Sequence, residues 1–143
     1  MKKENIHYTI MFEPDLKKFR FKGKETISFN TESTKKIVLN AADIDIKECI
    51  LIKGKKELLP KIKLNKETEE LILTFSEKVS GDCRLVISFE GTHNDQLIGF
   101  YRSKYSVNGK EKYMVTTQFE AADARRAFPC WDSPQKKATF DIS

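Results

Sequence analysis

Residues 6–29 read IHYTIMFEPDLKKFRFKGKETISF, and their alternation decides the fold. Ile6, Tyr8, Ile10 and Phe12 share one parity, with His7, Thr9 and Met11 between them. A period of two is the mark of a strand with one face buried. Glu13-Pro14-Asp15 reads as a turn, because proline fixes φ and aspartate bonds the backbone that follows it. Phe19, Phe21, Glu25, Ile27 and Phe29 then fall on one parity of a second strand. Gly23 interrupts that strand and marks a bulge or a close backbone approach. The two runs predict an antiparallel hairpin as the opening unit.

Working outward, the same signals recur. Residues 37–39 predict a short apolar strand, broken at residues 40–43. Ile44 and Ile46 lead into a run at 49–52. Lys53-Gly54-Lys55 predicts a turn, and residues 58–64 resume with Pro60 at an edge or a strand start. Residues 65–70 are polar, 71–75 form a compact apolar strand, and Ser80-Gly81-Asp82 reads as a turn. Cys83, Leu85, Ile87 and Phe89 alternate again, up to Gly91. Residues 92–110 read as a long loop that holds the aromatic stretch LIGFYRS at 97–103. No stretch before residue 119 carries an apolar stripe of helical period with caps. Many short strands with Gly, Pro and Asn turns predict one all-β sandwich domain over residues 1–143.

Composition narrows the class of protein. The chain has 143 residues, 39% hydrophobic and 33% charged, which is the profile of a globular domain. No apolar run reaches the length of a bilayer span, so no membrane partner is expected. No apolar segment follows the charged start Met1-Lys2-Lys3-Glu4, which predicts a cytoplasmic or a trimmed protein. The net charge is +5, but the lysines are scattered and interleaved with glutamates, an arrangement that argues against a nucleic-acid partner. Cys49, Cys83 and Cys130 are widely spaced; Cys49 and Cys83 read as buried thiols, and no pair has zinc-ligand spacing.

The densest chemistry lies in residues 113–143, YMVTTQFEAADARRAFPCWDSPQKKATFDIS. Gln118 and Glu120 share a parity at the end of a β-rich run. Residues 121–128 suit a turn or two of helix that Pro129 stops. A carboxylate beside an amide at a strand end suits the holding of a cation, such as a free α-ammonium group. A surface or ion-paired glutamate is the alternative. Asp123, Arg125, Arg126 and Asp132 read as structural ion pairs, and Trp131 as packing.

Gly-Phe-Tyr-Arg-Ser at 99–103, Thr-Gln-Phe-Glu-Ala at 117–121 and Asp-Ala-Arg-Arg-Ala-Phe-Pro-Cys-Trp-Asp at 123–132 carry a family likeness. The chain resembles the N-terminal domain of the zinc-dependent aminopeptidases, the family of aminopeptidase N, puromycin-sensitive aminopeptidase and the tricorn-interacting aminopeptidases. The match is nearly continuous from 99 to 141, and residues 1–98 agree in pattern only. The resemblance implies a saddle-like β-sandwich of antiparallel strands beside a thermolysin-like catalytic domain. It implies that Glu120 binds the substrate's free amine and that Gln118 lines the pocket for the first side chain. It also implies peptide substrates with free N-termini and zinc in the parent enzyme.

Ser133 stands where the family has an acidic residue before Pro134, and Gln135 where a small or aromatic residue is common. The motif H-E-x-x-H is absent, since His7 and His93 are the only histidines. The family's Gly-Ala-Met-Glu-Asn motif is absent too. The expectation is therefore an N-terminal domain cut before its last strands, inactive alone and binding no zinc. Such a chain would expose a sheet edge near residues 138–143 and self-associate. A standalone β-sandwich binding module is the alternative of a different class.

Overall fold

A computed structural model describes residues 5–143. These residues form nine strands and one short 3-10 helix, with no α-helix among them. The strands in chain order are β1 (Ile6–Asp15), β2 (Arg20–Asn40), β3 (Ile44–Lys53), β4 (Lys56–Leu58), β5 (Lys61–Asn65), β6 (Glu70–Thr92), β7 (Gly99–Val107), β8 (Lys110–Gln118) and β9 (Ala138–Ile142). Seven of them make one sheet in the order β4-β3-β6-β2-β1-β9, with β5 on β6, and β7 and β8 pair as a separate hairpin. The all-β expectation holds. Pairing is antiparallel except between β1 and β9, which run parallel.

The opening hairpin forms as read, with its turn displaced. Pro14 still pairs with Phe21, so β1 continues to Asp15 and the turn falls at residues 16–19. Asp15 Oδ1 accepts from the backbone N–H groups of Lys17 and Lys18 at 2.9 and 3.0 Å, an Asx turn. Phe19 lies in that turn with φ at 52°, not on the strand.

Two strands are far longer than their sequence suggests. Residues 37–39 are the end of β2, and residues 71–75 and 83–89 are both part of β6. The register slips at Thr31/Thr34 and Thr34/Lys36, so the break between the apolar runs is a bulge. The Thr34 hydroxyl bonds the Lys36 carbonyl and amide at 2.9 and 3.0 Å and steadies it. Gly81, with φ at 80°, stays paired with Thr31, so residues 80–82 are not a chain reversal.

The bulge is what makes a sandwich from one sheet. A straight strand of 21 residues would run roughly 70 Å. Yet Asn40 is separated from Ile44 only by residues 41–43, and Ile44 pairs with Gly91, itself the partner of Phe21. The end of β2 thus returns to within about 25 Å of its start. The sheet doubles over and encloses its own apolar faces. Ile27, Phe29, Leu51 and Leu85 from one half meet Ile37, Leu39, Leu71 and Leu73 from the other in a single core.

Near β1 the core is aromatic. Phe12 makes edge-to-face contacts with Phe21, Phe89, Phe100 and Phe128 at centroid distances of 6.1, 6.2, 5.4 and 6.4 Å. Two glycines make room for it. Gly23 is paired with Phe89 and Gly91 with Phe21, and each phenylalanine ring lies over its partner glycine. A Cβ at either glycine would meet the ring at 2.3 Å. Gly23 therefore marks a close approach and not a bulge, because its register with Phe12 and Phe89 is unbroken. Gly23→Ala is expected to cost about 1–3 kcal/mol, the range for overpacking a core. Urea unfolding of the purified chain measures it, and an unchanged midpoint would contradict the packing described.

Candidate functional site

The loop of residues 92–110 is for the most part a hairpin. Strands β7 and β8 pair from Gly99–Gln118 to Val107–Lys110, with Asn108 and Gly109 at the turn in positive φ. That Asn-Gly pair is a strong hairpin signal. One face of the hairpin lies on the β1–β2 turn. Tyr113 meets Phe19 edge to face at 4.9 Å, the Arg102 guanidinium sits 4.5 Å from the Phe19 ring centroid, and Phe100 enters the core. Paired residues share a face, so Gln118 points outward with Thr116 and Met114.

Strand β8 ends at Gln118, two residues before Glu120. Both of these side chains are exposed, while Phe119 between them turns inward and meets Phe128 edge to face at 6.0 Å. The common parity of Gln118 and Glu120 does not come from a continuous strand; it survives only as two exposed side chains around a half-buried one. The Glu120–Ala121 peptide bond is cis. The Asp123 amide then donates to the Phe119 carbonyl at 3.0 Å and closes a turn leading into the 3-10 helix Ala124–Arg126.

The following segment is clasped across the domain. Cys130 exchanges backbone hydrogen bonds with Asn40 at 2.7 and 3.1 Å. The Asn40 side-chain oxygen accepts from the Asp132 amide at 3.1 Å, and the Tyr8 hydroxyl accepts from the Trp131 amide at 3.1 Å. Trp131 packs on Phe29 at 5.2 Å, the packing role its sequence suggests.

Two arginines fasten this clasp. Arg125 Nε donates to Asp132 at 2.9 Å and its Nη1 to Glu69 at 3.3 Å. Arg126 Nε donates to Asp123 at 2.9 Å, and its Nη atoms pair with Asp43 and, at 3.5 Å, with Glu69. The ion pairs expected among Asp123, Arg125, Arg126 and Asp132 are formed. Asp43 and Glu69 join them from turns that are remote in sequence, with positive φ at both, and no local pattern announces them. Glu120 is excluded from this network: among the described residues it has no hydrogen bond or ion pair.

Several other titratable side chains sit in the core. Glu25 is fully buried and neither carboxyl oxygen has a partner among the described residues. Burial holds its carboxyl well above the usual 4.5, which favours the protonated form. Burial also raises Tyr8, Cys49 and Cys130, the Cys49 thiol to about 12. Such thiols are poor nucleophiles and poor ligands. His93 is buried between Phe21 and Phe100, and burial, with Arg102 next, lowers its pKa. His7 lies at the opposite end of the β1–β9 pair, 2.6 Å from Thr139 Oγ1 and 3.1 Å from Asp141 Oδ2. No three His, Cys, Asp or Glu side chains gather into a metal site among the described residues.

The sequence matches the family described as Peptidase M1 N-terminal domain over residues 4–143. It is 44% identical over 143 residues to "Aminopeptidase M1-A" of Oryza sativa, covering 95% of this chain and 16% of that protein. It is 40% identical over 139 residues to "Aminopeptidase 2" of Candida albicans, covering 96% of this chain and 15% of that protein. It is 39% identical over 146 residues to "Alanine/arginine aminopeptidase" of Saccharomyces cerevisiae, covering 96% of this chain and 17% of that protein. The chain thus spans about a sixth of the length of these relatives.

The buried Glu25 makes stability depend on pH. The folded chain keeps a proton that the unfolded chain releases near 4.5. Its contribution is therefore greatest below that pH and declines above it, by about 1.4 kcal/mol per pH unit until the folded group ionises. Glu25→Gln removes this decline, so the stability difference between variant and wild type should grow in urea titrations as the pH is raised above 4.5. A difference independent of pH would contradict the buried neutral acid.

Proposed function

The chain belongs to the peptidase M1 N-terminal domain family, and from that premise we propose that it is the substrate-recognition domain of a zinc-dependent aminopeptidase. The enzyme would remove N-terminal residues from peptides. One observation supports the assignment of roles above the others. Asp43, Glu69, Asp123 and Asp132 are all engaged by Arg125 and Arg126, while the neighbouring Glu120 is exposed and unengaged among the described residues.

In this reading the Glu120 carboxylate accepts charge-assisted hydrogen bonds from the substrate's α-ammonium group. Fixing that end of the peptide presents only its first bond to the catalytic machinery. An internal peptide bond has no free amine to compensate the desolvation of Glu120, so the same contact selects chain ends. Gln118, exposed at the end of β8, lines the pocket for the first side chain.

The residues described do not fit a zinc site. His7 and His93 are engaged separately, one with β9 and the other among phenylalanine rings. The proposal therefore gives the metal to a catalytic domain outside this chain. No helix is long and apolar enough to cross a membrane among the described residues. Three free, buried cysteines support a reducing, cytoplasmic location.

In the complete aminopeptidase, Glu120→Ala should lower kcat/KM for free-amine peptides about 10- to 100-fold, the worth of a charge-assisted hydrogen bond. Unchanged kinetics would remove the amine-anchor role. The purified chain alone should release no aminoacyl dye; chelator-sensitive release would contradict the division of labour. Among the described residues strand β9 ends the sheet with its outer edge unpaired, and Phe140 and Ile142 are 48% and 62% exposed. The isolated chain should therefore self-associate as its concentration rises. Light scattering that reports a monomer at every concentration would contradict this.

A further inference from the structure

Arg126 occupies a position that its ion pairs alone do not account for. Its side chain packs against Gly99, where a Cβ would fall 2.7 Å from the Arg126 Cβ. Gly99 has φ at 69° and is the cross-strand partner of Gln118. On its other side, Arg126 Nε holds the Asp123 carboxylate at 2.9 Å, and its amide donates to the Asp123 carbonyl at 3.1 Å. The Asp123 amide in turn holds the Phe119 carbonyl at 3.0 Å. One side chain thus touches the strand beside Gln118 and the turn that carries Glu120.

Its guanidinium is anchored at the far end by Asp43 and Glu69. Those residues border the turns that join β2 to β3 and β5 to β6, so the anchor is the sandwich itself. Arg126 is also largely buried, with 22% of its side chain exposed, which limits the alternatives open to it. Arginine suits the position because its planar fork meets three carboxylates in different directions, which a lysine ammonium cannot do with the same geometry.

We infer that Arg126 is a positioning residue that sets the spacing of Gln118 and Glu120, and through them the fit of the substrate's first residue. The inference rests on the amine-anchor reading of Glu120 and adds to it a residue that does not touch substrate. Removing the guanidinium frees the Asp123 carboxylate, and with it the 120–123 turn, from the anchor on Asp43 and Glu69, and a displaced Glu120 carboxylate binds an ammonium poorly. Removing only its fork, as in Arg126→Lys, keeps the charge and part of the wedge.

The test uses two competitive inhibitors of the complete aminopeptidase that differ only in an α-amino group. The ratio of their inhibition constants reads the amine contact and is blind to a general loss of active enzyme. Arg126→Gln should cut that ratio about tenfold, because small misplacements are costly at an oriented site. Arg126→Lys should restore part of it. In a Glu120→Ala background, Arg126→Gln should change the ratio no further, since a residue that acts through another is not additive with it. If Arg126→Gln leaves the ratio unchanged, or lowers it equally in both backgrounds, the positioning role is wrong while the amine anchor stands. If Glu120→Ala itself leaves the ratio unchanged, the amine anchor fails and the inference falls with it. Should Arg126→Gln not fold, Gly99→Ala presses on the same contact from the hairpin side and should lower the ratio in the same way; an unchanged ratio there would overturn the role.

Discussion

The backbone pair between Asn40 and Cys130 is the contact on which the working surface depends. Asn40 ends the long strand β2 after it has doubled back over the sheet. Its amide, carbonyl and side-chain oxygen all bind the segment of residues 130–132. That segment would otherwise be a loop of mixed polarity with little to hold it. Once it is clasped, Phe128 is drawn under Tyr8 and Phe12, and Arg125 and Arg126 face carboxylates of neighbouring turns. The turn that carries Glu120 inherits its position from this arrangement. The bend in β2 and the placement of the proposed amine site are thus one structural event, since without the return of β2 there is no Asn40 at that place.

Charge is distributed with the same logic. Acidic side chains that shape the clasp are matched by two arginines of low exposure, where hydrogen-bonded pairs hold geometry more than they add stability. Glu25 and His93 lie in the core, where burial disfavours their charged forms, so Glu25 lowers stability as the pH rises and His93 as it falls. Glu120 is left outside both arrangements. The recognition role proposed for this domain needs such a group, because a carboxylate already committed to an arginine offers nothing to a substrate ammonium.

Much of this was legible in the sequence. The parity of Phe21, Ile27 and Phe29 gives the buried face of β2, and Gly23 is correctly a place of close approach. The clasp residues Arg125, Arg126 and Asp132 form the ion pairs their proximity suggests. The length of β2 and β6 was not legible, because Thr31 to Lys36 and Ser80 to Asp82 have the composition of turns. Whether polar residues bend a paired strand or reverse the chain is settled by the partner strand, which local composition does not contain. The hairpin β7–β8 was hidden by its mixed polarity, although Asn108-Gly109 marked its turn. The parallel pairing of β9 with β1 and the reach of Arg126 to Asp43 and Glu69 are long-range facts with no local signature.

The central claim is that Glu120 meets the free amine of a peptide. It is tested most directly by the crystal structure of the complete protein with an amine-bearing aminopeptidase inhibitor bound. The account predicts a Glu120 carboxylate oxygen about 2.7–2.9 Å from the inhibitor nitrogen, with Arg126 still packed on Gly99. An inhibitor amine bound by other groups, with Glu120 turned to solvent, would contradict it.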